Sequence, residues 1–349
     1  MINLKKLIFP ISQLKVVQNV NLRNLSASID NFNKAKDTLN KLKNDPGSEK
    51  KLKLYALFKQ EKAIVSYVQI IDELSKEEGI DSESTKTEAK QNTDSNVGGI
   101  EVSKSNGVFT IRLNRINKKN AITWEMYDYW AKMLKEADND PSIRVVVITG
   151  AGDYFCSGND LSNFTKPGVS PQQMAADGNK VLRNFVDSFI DFSKPLIGLV
   201  NGPAIGISVT TLGLYDVVLA SDNATFSTPF SNLGQTPEGC SSYTFPKLFG
   251  SMKANEIIMF NKKLSANEAI GLVTRVFPHK VFQEEAWKIV NEIASLPPQT
   301  LKYAKELIRG PIKKELHEIN KSECDRLMER WLSDECIQAI TKFFSKKSA

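Results

Sequence analysis

The sequence predicts an α/β domain over residues 99–349, preceded by smaller segments. Two observations carry this. Strand-sized apolar runs, Val145-Val146-Val147-Ile148 and Leu196 to Val200, alternate with stretches of helical periodicity. Loops rich in glycine and other small residues follow both runs, at the carboxyl ends of strands where α/β proteins place ligands.

In chain order, Phe109, Ile111 and Leu113 alternate with Thr110, Arg112 and Asn114 and predict a strand. Trp124, Tyr127, Met133, Leu134 and Ala137 recur at helical spacing and predict a helix ending before Asp140-Pro141. Val145 to Thr149 and Leu196 to Val200 are apolar throughout, so both read as strands buried on two faces. Further strands are expected at Tyr215–Ala220 and Ala224–Phe226, and residues 282–344 read as mostly helical. The spacing alone fits a doubly wound sheet and a spiral of ββα turns equally well.

The chain has 349 residues, 41% hydrophobic and 25% charged, enough for one large core and a smaller unit. No apolar run reaches the roughly 18 residues of a membrane span. The formal charge of +6 is concentrated at the front, where Lys5, Lys6, Lys15 and Arg23 precede the first acid, Asp30. The remainder is nearly balanced, which argues against a nucleic-acid surface. Cys156, Cys240, Cys324 and Cys336 form no CxxC pair, and only His279 and His317 accompany them. No metal site is expected, and the cysteines read as small apolar residues in a reducing compartment.

Residues 1–29 contain basic but no acidic side chains, and Leu4, Leu7, Ile8, Ile11 and Leu14 fall on one helical face. That pattern predicts a mitochondrial targeting segment and a matrix location, with a disordered basic tail as the alternative. The last residues, Ser345 to Ala349, are not Ser-Lys-Leu, so the simplest peroxisomal address is not predicted. Residues 30–78 predict three short helices broken at Asp45-Pro46-Gly47. Residues 79–98 are dominated by Ser, Thr, Asn, Asp, Glu and Lys and predict a disordered linker.

Three loops carry the chemistry: Cys156-Ser157-Gly158-Asn159-Asp160-Leu161, Asn201 to Ser208, and Gln235-Thr236-Pro237-Glu238-Gly239. Two small-residue loops can each present a backbone N–H to one oxygen, and a carboxylate on the third can move a proton beside it. A thioester needs this arrangement when its α-carbon is deprotonated. The glycine pattern is not GxGxxG and no Walker lysine follows, so a dinucleotide or ATP site is not predicted.

These loops, with Leu113-Asn114-Arg115-Ile116-Asn117-Lys118-Lys119-Asn120-Ala121, resemble the enoyl-CoA hydratase/isomerase (crotonase) superfamily from about residue 100 to 344. Ile116 departs from the usual proline. The resemblance implies a ββα spiral with C-terminal helices, a homotrimer or dimer of trimers, and an acyl-CoA substrate with no separate cofactor. Hydratases of the superfamily use two glutamates, and the matching positions here are Thr210 and Phe230. Pro237-Glu238-Gly239 instead resembles the Δ3,Δ2-enoyl-CoA isomerases that are fused to an acyl-CoA-binding domain.

The roles implied are Glu238 as the proton carrier and the N–H groups of Ser157 and Ile207 as the oxyanion donors. Substrate contacts are expected from Gly158, Asn159, Asp160, Leu161, Asn120, Ala121, Gly206 and Phe230. Read by itself, an aspartate following Gly158-Asn159 more often braces its own loop. Phe226, Phe230 and Tyr243 are expected to form the apolar surround of Glu238. An enoyl-CoA hydratase and a non-catalytic acyl-CoA-binding scaffold are the alternatives.

Lys51 to Gln60 and the flanking patterns resemble acyl-CoA-binding protein, which implies acyl-CoA contacts at Tyr55, Lys59 and Tyr67. Gln60 runs directly into Glu61, omitting that family's intervening helix and its Lys-x-x-Trp-x-x-Trp-like run. The truncated head is therefore expected to bind acyl-CoA weakly or not at all, with both tyrosines packing a small core.

Overall fold

A computed structural model of the chain describes residues 96–164 and 168–347. The expected targeting segment, the three-helix head with Tyr55, Lys59 and Tyr67, and most of the linker lie outside the described residues.

The domain starts slightly earlier than the composition suggests. Strand β1 (Asn96–Val97) falls inside the stretch expected as linker and pairs antiparallel with β2 (Ile100–Ser105). Backbone pairing, which a polar composition does not preclude, sets this boundary. β2 in turn pairs antiparallel with β3 (Val108–Leu113), around a turn in which Asn106 and Gly107 both have positive φ.

From β3 onward the sheet grows in one direction. β4 (Val145–Gly150), β5 (Leu196–Val200), β7 (Val217–Ser221) and β10 (Arg275–Phe277) each add in parallel, giving the order β1-β2-β3-β4-β5-β7-β10. The missing numbers form a second sheet of β6 (Ala204–Ile205), β8 (Thr225–Ser227) and β9 (Leu264–Ser265). A doubly wound sheet would reverse its strand order part-way. Steady addition with successive turns feeding a side sheet is the ββα spiral.

β4 and β5 are buried at every position, and their two faces meet different partners. Val146 and Ile148 point into the main core with α1 (Trp124–Asn139) and α2 (Pro171–Asp191). Val145 and Val147 pack with Phe282, Ala286 and Val290 of α6 (Phe282–Ser295). Each such side chain contributes about 1.5–3 kcal/mol by leaving water. Helix α1 starts where Thr123 Oγ accepts the Met126 N–H. Helix α2 has a Ser170 cap followed by Pro171 in its first turn. The two helices lock through Trp130, whose ring meets Phe185 edge-on at 5.2 Å.

The rest is helical, with one short member. Helix α3 (Ile207–Thr210) follows β6, while α4 (Ser241–Phe249) and α5 (Ser251–Ile258) follow β8. Helices α7 (Pro298–Trp331) and α8 (Asp334–Lys347) close the chain. Helix α7 is pinned to the sheet by buried Lys305, which donates to Asp216 at 2.7 Å and to the Lys194 carbonyl at 2.8 Å. Removing either member of such a pair costs about 3–5 kcal/mol. That anchorage matters because α7 reaches the site.

Candidate active site

The first two loops are joined before any substrate arrives. Ile205 N–H donates to the Cys156 carbonyl at 3.0 Å, and Cys156 and Ala204 form a parallel bridge. Gly158 has φ 86°, and a Cβ there would stand 2.6 Å from the Ile205 carbonyl oxygen. Only glycine satisfies both conditions. Gly206 (φ 63°, ψ −127°) then turns the chain into α3. Ile207 is the first residue of that helix, and among the described residues its N–H has no hydrogen-bond partner.

The third loop rests on the second. A Cβ on Gly239 would lie 3.4 Å from Ile207 Cδ1, so the residue after Glu238 touches the residue that offers the N–H. Glu238 is partly buried and lines a cavity of about 40 Å³ with Asn159, Tyr127, Trp124, Phe164 and Trp331. Burial pushes its carboxyl up to about 8, with the nearby charge of Glu323 adding to the effect. The same carboxylate helps to raise the Tyr127 phenol, after burial.

Residues 103–349 match the family model described as enoyl-CoA hydratase/isomerase. The chain belongs to the enoyl-CoA hydratase/isomerase family. Among similar proteins, enoyl-CoA delta isomerase 2 of Homo sapiens is 44% identical, over 97% of this chain and 94% of that protein. Enoyl-CoA delta isomerase 2 of Rattus norvegicus is 45% identical over 93% and 91%. A crystal structure of an enoyl-CoA hydratase/isomerase from Pseudoalteromonas atlantica T6c superimposes with a TM-score of 0.65 at 36% identity, covering 71% of this chain and 97% of that one.

Within this family fold, the site residues expected from the sequence divide into two groups. Glu238, Asn159 and Ile207 are brought together around the cavity and the start of α3. Asn159 uses its Oδ1 to accept from Asn163 at 2.7 Å. Ser157 adjoins them, but its N–H donates to the Lys119 carbonyl at 2.9 Å and its hydroxyl to the Lys118 carbonyl at 3.2 Å. The backbone that delivers this acceptor is unusual, with Lys119 at φ 51° and Asn120 at φ 58°.

The second group is engaged in holding loops. Buried Asn120 donates to the carbonyls of Ala151 and Tyr154, at 2.9 and 2.8 Å, and accepts the Arg115 N–H at 2.9 Å. Its side chain therefore braces the first loop. The Ala121 carbonyl accepts from Arg115, whose guanidinium also pairs with Asp160 at 2.9 Å. Burial raises the Asp160 carboxyl, but hydrogen bonds from Ser162 and Arg115 outweigh this and leave it lowered. That is the loop-bracing role. Leu161 opens a short 3-10 turn with Phe164.

Phe226 and Phe230, expected around Glu238, are buried, and Tyr243 donates its hydroxyl to Glu315 at 2.6 Å. None of the three is among the residues that line the cavity with Glu238. The lining comes from α1, α2 and the end of α7: Trp124 and Tyr127, Gly178 and Leu182, and Trp331. Gly178 is where the two tryptophans meet the helix, since a Cβ there would stand 3.0 Å from Trp331 and 3.3 Å from Trp124. Sequence reasoning missed these residues because helical apolar spacing does not distinguish a core face from a pocket face.

Neither histidine lines the cavity with Glu238. His317 contacts Asp187 and Asp191 at 2.8 and 3.1 Å, and His279 contacts Ser221 at 3.1 Å. All four cysteines are buried, and burial pushes the Cys156 thiol up to about 12. Among the described residues, no helix is long and apolar enough to cross a membrane.

Proposed function

We propose that this chain is a Δ3,Δ2-enoyl-CoA isomerase, moving the double bond of a 3-enoyl-CoA to the trans-2 position in the β-oxidation of unsaturated fatty acids. The observation that carries the reading is Glu238: it is the one carboxylate among the residues lining the cavity, burial pushes it up to about 8, and the next residue, Gly239, packs on Ile207 at the start of α3. The two positions that match the hydratase glutamates hold Thr210 and Phe230, which cannot transfer a proton at neutral pH.

The C2 protons of a 3-enoyl thioester are acidified by the carbonyl and the alkene together. Glu238 removes one, leaving a dienolate, and returns it at C4. A proton affinity near working pH suits both halves of that transfer. The developing oxyanion is met by the N–H of Ile207 and by that of Ser157, which exchanges the Lys119 carbonyl for the thioester oxygen. Each donor lowers the barrier by about 3 kcal/mol. The cavity beyond Glu238 has room for a few waters at most, so a longer acyl tail displaces the Phe164 and Trp331 rings, which stand 5.2 Å apart. Conversion of a 3-enoyl-CoA to the conjugated 2-enoyl-CoA by the purified chain, with no added cofactor, tests the activity. Water addition to a 2-enoyl-CoA with no isomerisation would assign it to the hydratases.

Three features complete the reading. Residues 1–29 direct the chain to the mitochondrial matrix, read out by the location of a reporter fused behind them. Residues 30–78 are dispensable for turnover, so a chain starting at residue 96 keeps kcat. The catalytic domain assembles as a homotrimer or a dimer of trimers. Exposed Met252, Phe260, Leu307 and Ile308 offer apolar surface for that assembly, and sedimentation measures the mass.

A further inference from the structure

Immediately after Glu238 the backbone takes two left-handed steps, Gly239 at φ 68° and Cys240 at φ 60°. Glycine takes such a step freely, whereas a residue with a side chain is disfavoured there and stays only when its surroundings hold it. The hold comes from a helix far along the chain. Glu323 of α7 is buried, and its two carboxylate oxygens accept the backbone N–H groups of Cys240 at 2.7 Å and Ser242 at 2.9 Å. A buried carboxylate usually sits against a cation. Among the described residues Glu323 forms no ion pair; burial raises its carboxyl, and the hydrogen bonds that oppose this come from Ser242 and Cys240. Glu238 closes the same turn by accepting the Ser241 N–H and hydroxyl with its carbonyl, at 3.2 and 2.7 Å.

We infer that Glu323 is a positioning residue for Glu238, pinning the left-handed turn that aims the base into the cavity. The inference rests on the reading of Glu238 as the proton carrier. Glu323 acts on the base in a second way, because its charge faces Glu238 across the turn and opposes a second negative charge there. The other titratable groups around the pair are Tyr127 of α1, Arg183 and Asp187 of α2, Cys240, and Arg309 and Cys324 of α7. Burial raises Tyr127, Cys240 and Cys324 far above neutrality, so they stay protonated while Glu238 titrates.

The test is the pH dependence of turnover on a 3-enoyl-CoA for four proteins: unsubstituted, Glu323→Gln, Ser242→Pro and Glu238→Gln. Glutamine at 323 removes the charge and leaves one of the two N–H groups without its acceptor. The plateau kcat is expected to fall about tenfold as the base is misplaced, with KM changed less than about twofold. The acid limb of kcat/KM is expected to move to lower pH by about one unit. Proline at 242, in the first turn of α4 where it is tolerated, keeps the buried carboxylate and deletes the backbone and hydroxyl contacts that Ser242 makes to it. It is expected to lower the plateau while moving the limb less than Glu323→Gln does. A residue that only stabilised the fold would lower the melting temperature and leave the limb in place.

A folded Glu323→Gln protein with an unmoved acid limb overturns the inference. Should that variant not fold, a Ser242→Pro plateau within about twofold of the unsubstituted enzyme overturns it. Near-normal turnover by Glu238→Gln would instead remove the base itself. An inactive Glu238→Gln beside an unchanged Glu323→Gln profile would sink the positioning role alone.

Discussion

Gly239 and Thr210 approach so closely that a Cβ on Gly239 would stand 2.6 Å from Thr210 Oγ1. This contact seats the loop of Glu238 directly on α3, whose first N–H is the proposed oxyanion donor. It also places the loop against the position where a hydratase of the family carries a glutamate. The proposed base and the proposed oxyanion donor are thus parts of one packed unit.

Gly239→Ala tests that unit. Alanine at φ 68° is strained, and its methyl group collides with a buried hydroxyl. Turnover is expected to fall at least about tenfold, since small displacements of a base weaken catalysis strongly. Adding Thr210→Ala removes the nearest colliding atom and is expected to restore part of kcat. Steady-state kinetics on both proteins provide the check, and equal activity in the single and double variants would show that the contact does not set the position of Glu238.

The oxyanion donors predict an asymmetric pair of variants. Ser157→Ala keeps the N–H and loses only a hydroxyl bonded to the Lys118 carbonyl, so kcat is expected to change less than about threefold. Ile207→Pro deletes an N–H at the first position of α3, where proline fits the helix. Loss of one such donor lowers kcat about 100-fold or more. Circular dichroism on both variants separates loss of the donor from loss of fold. A folded, inactive Ser157→Ala protein would assign a role to the hydroxyl.

The architecture was legible in the sequence where burial is two-sided. The apolar runs of β4 and β5 announce strands, and α6 shows its helical period. The loops were legible because small residues and one glutamate mark them. The proposed oxyanion donors are backbone groups with no residue type of their own, so only the resemblance pointed to Ser157 and Ile207. Nothing in the residue pattern showed that Lys119 engages the Ser157 N–H. Glu323 lies in Lys321-Ser322-Glu323-Cys324-Asp325, which has the composition of a solvated helix face. Its burial exists only once α7 packs over the turn before α4. Trp124, Tyr127 and Trp331 are hidden for the same reason, because tertiary packing decides which apolar side chains border a cavity.

The raised pKa of Glu238 has a signature in stability. Its folded value of about 8 lies above the ordinary 4.5, with burial as the main cause and the charge of Glu323 next. Between those limits the folded chain binds the proton more tightly than the unfolded chain does. Stability linked to this group is therefore complete below about pH 4.5 and is lost as pH rises through about 8. Glu238→Gln carries no such loss. In urea melts the variant is expected to gain on the unsubstituted protein steadily from pH 4.5 to pH 8. A difference that does not change with pH would mean that the carboxyl is not perturbed.

Turnover of Glu238→Gln on a 3-enoyl-CoA tests the central claim most directly, because the substitution keeps size and packing while removing the proton carrier. The account predicts that kcat falls at least about 100-fold with substrate affinity nearly unchanged. A folded Glu238→Gln protein that isomerises the substrate at close to the unsubstituted rate would contradict it.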